Sequence, residues 1–359
     1  MLAAKFFLFF LWLAAAENTE RDSSEVILYF QEAKKQEKIL TIPSYHRTGK
    51  DVSLSFRHIE QISRTVYSIT NKIEVTNQKQ PSLLKMFLDV PVAKDDPETQ
   101  EINILKRLCH KNIVSMECFF RKACIGRRKY SGIVTEYLPQ TLRSMLKQGD
   151  SCLKNKQVLK GILRGLVEGV AYMHKNGVVH RMILLENILV SPPPTPGLKG
   201  GTVVKICEFS GSVDLNTKDT GDGFFNKHAA PEIANRTEKE NKAQDVWSVG
   251  LVMAALSLGE NVFERETKED HPADATLLCR LLEGESKKEL LSEEEKRTGA
   301  AYRRLEESLD TDGMDLLGRM LRYDSGNRIT PEAALKHPFF TGEGAAGCWF
   351  PFRRRKTKT

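Results

Sequence analysis

The sequence predicts an α+β fold with length enough for two lobes around one cleft. Three observations lead there. With 359 residues, 40% hydrophobic and 28% charged, the chain has an ordinary globular composition and enough length for two lobes. The octapeptide His180-Arg181-Met182-Ile183-Leu184-Leu185-Glu186-Asn187 is a compact site-like motif. Other short motifs keep a fixed order around it from about Ile59 to Phe340, which a chance match would not do.

At the start, Met1-Leu2-Ala3-Ala4-Lys5, an apolar run from Phe6 to Leu13 and the small residues Ala14-Ala15-Ala16 read as a secretory signal peptide over residues 1–16. The run is too short to span a bilayer, which takes about 20 residues as a helix. An uncleaved interfacial anchor, leaving the chain membrane-associated, or a cytoplasmic chain are the alternatives. Residues 17–50 form an N-terminal extension. Seven cysteines show neither metal-ligand spacing nor the density of a disulfide scaffold. The sequon Asn235-Arg236-Thr237 is compatible with secretory entry.

Further along come Val66-Tyr67, Leu83-Leu84-Lys85 and Gln100-Glu101-Ile102-Asn103-Ile104-Leu105. Ile133-Val134-Thr135-Glu136-Tyr137-Leu138 reads as a buried strand. After the octapeptide come Cys207-Glu208-Phe209-Ser210, Ala230-Pro231-Glu232, Asp245-Val246-Trp247-Ser248-Val249-Gly250, Asn327-Arg328-Ile329 and His337-Pro338-Phe339-Phe340. This order resembles the protein kinase domain. Leu309-Asp310-Thr311-Asp312-Gly313-Met314-Asp315-Leu316-Leu317, with the charged insert before it, looks like the cyclin-dependent and MAP kinase branch. The resemblance implies a bilobal kinase-like domain over residues 51–340, with a small β-rich N-lobe and its helix over 51–137, a larger, mainly α-helical C-lobe over 138–340 and a tail over 341–359, and it makes Cys207 a small buried residue and so a free thiol.

The resemblance implies an ATP cleft lined by Val66, Leu83, Lys85, Glu101, Thr135, Glu136, Leu138 and Leu189, with Thr135 as gatekeeper and magnesium on Asn187 and Glu208. It implies a Lys85–Glu101 ion pair, which serves nucleotide or locks the helix on the sheet. It also shows what is altered. Met182 stands where the family has the aspartate that takes the substrate proton, and a thioether cannot accept it. Leu184 replaces a lysine beside the transferring phosphate, removing a cation from the transition state. Glu208 for aspartate misplaces a ligand for a metal that demands near-octahedral geometry, and Ser210 for glycine stiffens the segment.

Counting back from Val66, the three cradle glycines of the family fall on Ile59, Gln61 and Arg64, none of them glycine. Strand alternation puts Leu83 on the face of Lys85, toward the adenine, where it crowds the base or completes an apolar stack with Val66 and Leu189. Bound ATP and magnesium are therefore expected to be weakened, and neither is required if the cleft is a scaffold. Arg181 is retained, with Thr217 and Thr220 as candidate phosphorylation sites and Asp219 and Asp222 as ready-made anions. The run from Ser191 to Gly201 is an inserted surface loop, either a docking segment or tolerated length.

Of the net charge of +7, five charges lie in Arg353-Arg354-Arg355-Lys356-Thr357-Lys358, leaving the body near +2. The tail either touches anionic lipid, helped by Trp349, Phe350 and Phe352, or is solvated. A nucleic-acid role rests on that tail alone and is not expected. Two readings remain: a pseudokinase that binds a protein partner or regulates an active kinase, and a divergent serine/threonine kinase of low activity.

Overall fold

The computed structural model describes residues 24, 26–65, 67–88, 97–191, 202–217, 229–235, 237, 241–260, 278–279, 282 and 293–342. The signal segment, Val66, the proline-rich insert, Thr220 with Asp219 and Asp222, and the basic tail lie outside them.

Six antiparallel strands build the small lobe: β1 (Leu40–His46), β2 (Asp51–Arg64), β3 (Ser68–Val75), β4 (Ser82–Phe87), β5 (Met116–Ile125) and β6 (Arg128–Glu136). They close into a barrel in the order β1-β2-β3-β4-β6-β5. Strand alternation sorts β4 cleanly. Leu84 and Met86 are fully buried in the barrel core with Phe56, Ile69, Ile73 and Phe120, while Leu83, Lys85 and Phe87 take the other face. Gly132 on β6 is required by packing, because a Cβ there would lie 2.6 Å from the Phe120 ring and 2.7 Å from the Lys85 carbonyl oxygen.

The extension is built into this lobe. Helix α1 (residues 26–35) buries Val26, Phe30 and Ala33, spaced i, i+4 and i+7 along one stripe, in the barrel cluster. Phe30 stacks on the His58 ring at 5.0 Å. β1 pairs with β2 from Leu40 opposite Phe56 to Tyr45 opposite Asp51, and reaches β5 through Tyr45 and His46. A boundary at Asp51 therefore cuts a hairpin, and the small lobe begins at or before Val26.

The expected glycine-loop positions are corrected here. Ile59, Gln61 and Arg64 lie along β2, whose ladder with β3 carries two irregularities, between His58 and Glu60 and between Gln61 and Ser63. The turn lies beyond them, where Thr65 N–H donates to Ser68 O at 2.8 Å. With no glycine to relax the backbone, the chain stays extended through the expected cradle and absorbs its irregularities as bulges.

Helix α2 (Pro97–Arg107) lies against the barrel and buries Ile102 and Leu105 in the same core as the large lobe. That lobe centres on α3 (Lys156–Lys175) and α4 (Ala243–Leu258). The α3 helix starts at Asn155, whose side chain accepts from the Gln157 and Val158 amides. The α4 helix is buried on almost every side and ends at Gly259, whose φ of 72° suits glycine. Strands β7 (Ile188–Val190) and β8 (Val204–Ile206) pair antiparallel, and Ser191 N–H donates to Val203 O at 3.0 Å, so the insert grows from a closed hairpin. Among the described residues no helix is long and apolar enough to cross a membrane.

Candidate functional site

The cleft is organised around one ammonium. Lys85, 8% exposed on β4, reaches Glu101 Oε2 on α2 at 2.8 Å and Glu208 Oε1 at 2.5 Å. Glu208 Oε1 also accepts from the Ser210 hydroxyl at 2.5 Å, and Glu101 Oε1 accepts from the Phe209 amide at 3.1 Å. Burial alone would lower the Lys85 pKa, but the two carboxylates outweigh it and hold the group well above its usual value. Burial raises the Glu101 carboxyl above its usual range, aided by the charge of Glu208 and opposed by Lys85. At Glu208 burial also pushes upward, yet Lys85 and Ser210 outweigh it and the pKa falls.

Helix α2 is latched to the large lobe at both ends. Arg107 pairs with Asp214 and donates to Asn176 O at 3.3 Å, while Gln100 donates to Ser212 O. Phe209 is fully buried and sits edge-on to His180 at 4.8 Å. The Lys85–Glu101 pair expected from sequence is thus formed, and the Ser210 hydroxyl gives Glu208 a partner a glycine could not.

The octapeptide is held by Asp245 of the helix over Ala243–Leu258, which accepts from the backbone amides of His180 and Arg181 at 2.9 and 2.8 Å and from His174 Nε2 at 2.9 Å. Burial would raise its pKa, but the His174 contact and its other partners outweigh this and keep it low. His180 Nε2 donates to Cys207 O at 3.0 Å and its Nδ1 accepts from Met182 N–H at 3.2 Å, so the ring is a neutral tautomer. Burial lowers its pKa, in agreement. Arg181 is buried with a left-handed φ of 70°. The Thr217 hydroxyl donates to Asp214 O at 2.8 Å, closing a turn.

Met182 is half-buried on this frame, and its sulfur packs on the segment after Phe209. A Cβ at Gly211 would lie 2.8 Å from Met182 Sδ. Asn187 donates to Met182 O at 3.0 Å, fixing the loop from the other side. Gly211 is a residue the sequence reading missed; an unassigned glycine behind Ser210 was the available signal. Gly211→Ala is expected to cost no more than about 1 kcal/mol, because the group it meets is a flexible thioether that can turn aside. Urea unfolding of Gly211→Ala, Met182→Ala and the double variant checks it, with most of the cost recovered in the double.

At the hinge, Thr135 is buried and stands opposite Leu83 across β4 and β6. The Glu136 carboxylate is already engaged, accepting from Ser115 N–H at 2.7 Å and Lys205 Nζ at 2.9 Å. Leu138 and Leu189 are buried in the large-lobe core, and Leu184 is half-buried at the start of the turn before Asn187. Leu83 lies partly exposed on the Lys85 face, as strand alternation requires. Its cross-strand neighbour on β3 is Lys72, a second residue the sequence reading missed. Cys207 is half-buried rather than fully buried; its free thiol donates to Asn187 O at 3.4 Å, and burial raises its pKa.

For magnesium, the donors would be Glu208 and Asn187. Their fit is partial, since Glu208 Oε1 carries Lys85 and Ser210, while Asn187 donates through Nδ2 to Met182 O and would ligate through Oδ1. Bound there, the ion would neutralise nucleotide phosphates.

A two-lobed fold with a buried lysine–glutamate pair on the cleft and an aspartate-anchored octapeptide beneath it defines a protein kinase architecture. The protein kinase domain matches residues 56–340, and the chain belongs to that family. It is similar to "Protein kinase gsk3" of Schizosaccharomyces pombe, 24% identical over 307 residues that cover 82% of this chain and 76% of the relative. "Mitogen-activated protein kinase hog-1" of Neurospora crassa is 28% identical over 281 residues, 75% and 73% of the two chains. "Cell division control protein 2 homolog 3" of Trypanosoma brucei brucei is 28% identical over 261 residues, 68% and 78%. The likeness to the cyclin-dependent and MAP kinase branch expected from the C-terminal motifs is therefore found.

Proposed function

We propose that this chain is a kinase-fold protein without efficient phosphotransfer, which acts by binding a protein partner or by regulating an active kinase. Met182 carries the reading. A thioether packed on Gly211 occupies the place of the proton acceptor, and it can neither take a proton nor position a hydroxyl. The engagement of Glu208 by Lys85 and Ser210 supports it, since the remaining metal carboxylate is satisfied by protein groups.

A slow kinase is the second reading, favoured by the intact Lys85–Glu101 pair and the Phe209 amide on Glu101, which hold α2 engaged. Positioning and charge supply most of phosphoryl-transfer catalysis, so a lost base alone does not exclude it. Labelled phosphate incorporation from ATP and magnesium, into the chain itself and a generic acceptor, decides. The expected incorporation equals that of Glu208→Gln; magnesium-dependent incorporation above that variant establishes the second reading. On the same proposal the chain enters the secretory pathway, motivated by residues 1–16. Failure of those residues to export a fused reporter would refute it.

A further inference from the structure

Lys72 lies on β3, and its register places it. It is the Cα partner of Leu83 on β4 and of Glu60 on β2. Directly opposed residues of an antiparallel pair share a face. Leu83 shares its face with Lys85, whose ammonium meets Glu101 and Glu208, so Lys72 also points into the cleft. Its ammonium is 3.3 Å from Glu60 Oε1 and 4.6 Å from the centre of the Tyr137 ring.

Tyr137 follows β6, and β4 separates β6 from β3. About 9.5 Å, two interstrand spacings, therefore divides the backbones carrying the two groups. The contact between them crosses the cleft face of β4 at Leu83, the surface against which a nucleotide base would stack.

We propose that Lys72, strapped between Glu60 and Tyr137, closes the base end of the cleft, so that a purine enters only when the strap is released. The proposal rests on the reading that the wild-type cleft holds nucleotide poorly. It makes Lys72 the residue that sets access for the base, while Leu83 narrows the floor of the same space.

Calorimetric titration of the full chain with magnesium–ATP tests it, using wild type, Lys72→Ala, Lys72→Arg and the alanine change repeated in a Leu83→Ala background. Lys72→Ala is expected to lower Kd about tenfold in at least one background, and Lys72→Arg to match wild type. Unchanged Kd in both backgrounds overturns the strap, and weaker binding overturns it by making Lys72 a nucleotide contact. The Lys72 side chain is 22% exposed, so the alanine variant should fold. Should it not, Glu60→Gln loosens the same strap: tighter binding supports the proposal and unchanged binding refutes it. Phosphate transfer by the wild type would refute the functional reading, whereas the Lys72 comparison decides the strap independently.

Discussion

Replacing Arg328 with alanine is expected to destabilise the large lobe by about 3–5 kcal/mol, the usual cost of breaking one side of a buried ion pair. Arg328 and Glu232 form a two-pronged pair at 2.5 and 2.6 Å, with side chains 0% and 4% exposed. Its remaining donors reach the carbonyl oxygens of Arg322, Tyr323 and Ala243. The guanidinium also stacks over Trp247 at 5.0 Å. Truncation would strand the buried Glu232 carboxylate without its two guanidinium donors. Arg328→Lys is expected to recover only part of the loss, because an ammonium cannot span both oxygens. Urea midpoints of the two variants measure this, and a loss below about 1 kcal/mol would place the pair among weak surface bridges.

Lys85→Met is expected to cost a similar ~3–5 kcal/mol at neutral pH, for a different reason. The change removes the cation between two carboxylates, one of them in Glu101 at 2% exposure. The sign of its pH dependence follows. Burial and the Glu208 charge already raise the Glu101 pKa, and without Lys85 it rises further. A carboxyl whose folded pKa is raised binds its proton more tightly when folded, so the variant regains stability as pH falls from 7 toward the unfolded glutamate value of about 4.3. In the wild type Glu208 behaves oppositely: its pKa is lowered, and its contribution is present above the unfolded value and lost as pH falls through the folded one. The gap between variant and wild type should therefore narrow on acidification. Because the substitution breaks a structural pair, it is a poor test of catalysis here, and Glu208→Gln, which keeps Lys85 on Glu101, is the better control.

The large lobe and its anchors were legible because each rests on a motif with local spacing: Asp245 in its hexapeptide, Glu232 after Ala230-Pro231, and Arg328 in Asn327-Arg328-Ile329. The Lys85–Glu101 pair followed from the same frame. The extension was less legible. Val26, Phe30 and Ala33 form an apolar stripe, but the surface that receives it exists only once β1 has closed the barrel. The β2–β3 turn was misplaced because no glycine marks it and two bulges shift the register. Lys72 carried no signal, since a lysine on a strand reads as a solvated face until the pairing with Leu83 turns it inward. The Met182–Gly211 contact joins two loops, and no periodicity predicts it.

These features describe a cleft satisfied by its own side chains: Lys85 by two carboxylates, Tyr137 by Lys72, Met182 against Gly211. Thermal unfolding of the chain with millimolar ATP, with and without magnesium, tests that directly. A ligand at 100 times its Kd stabilises a fold by ~2.7 kcal/mol, well within detection. The expected result is no magnesium-dependent shift. A clear rise in melting temperature that requires both ATP and magnesium would contradict the account, because Glu208 and Asn187 would then be holding a metal and a nucleotide that the protein's own contacts are said to exclude.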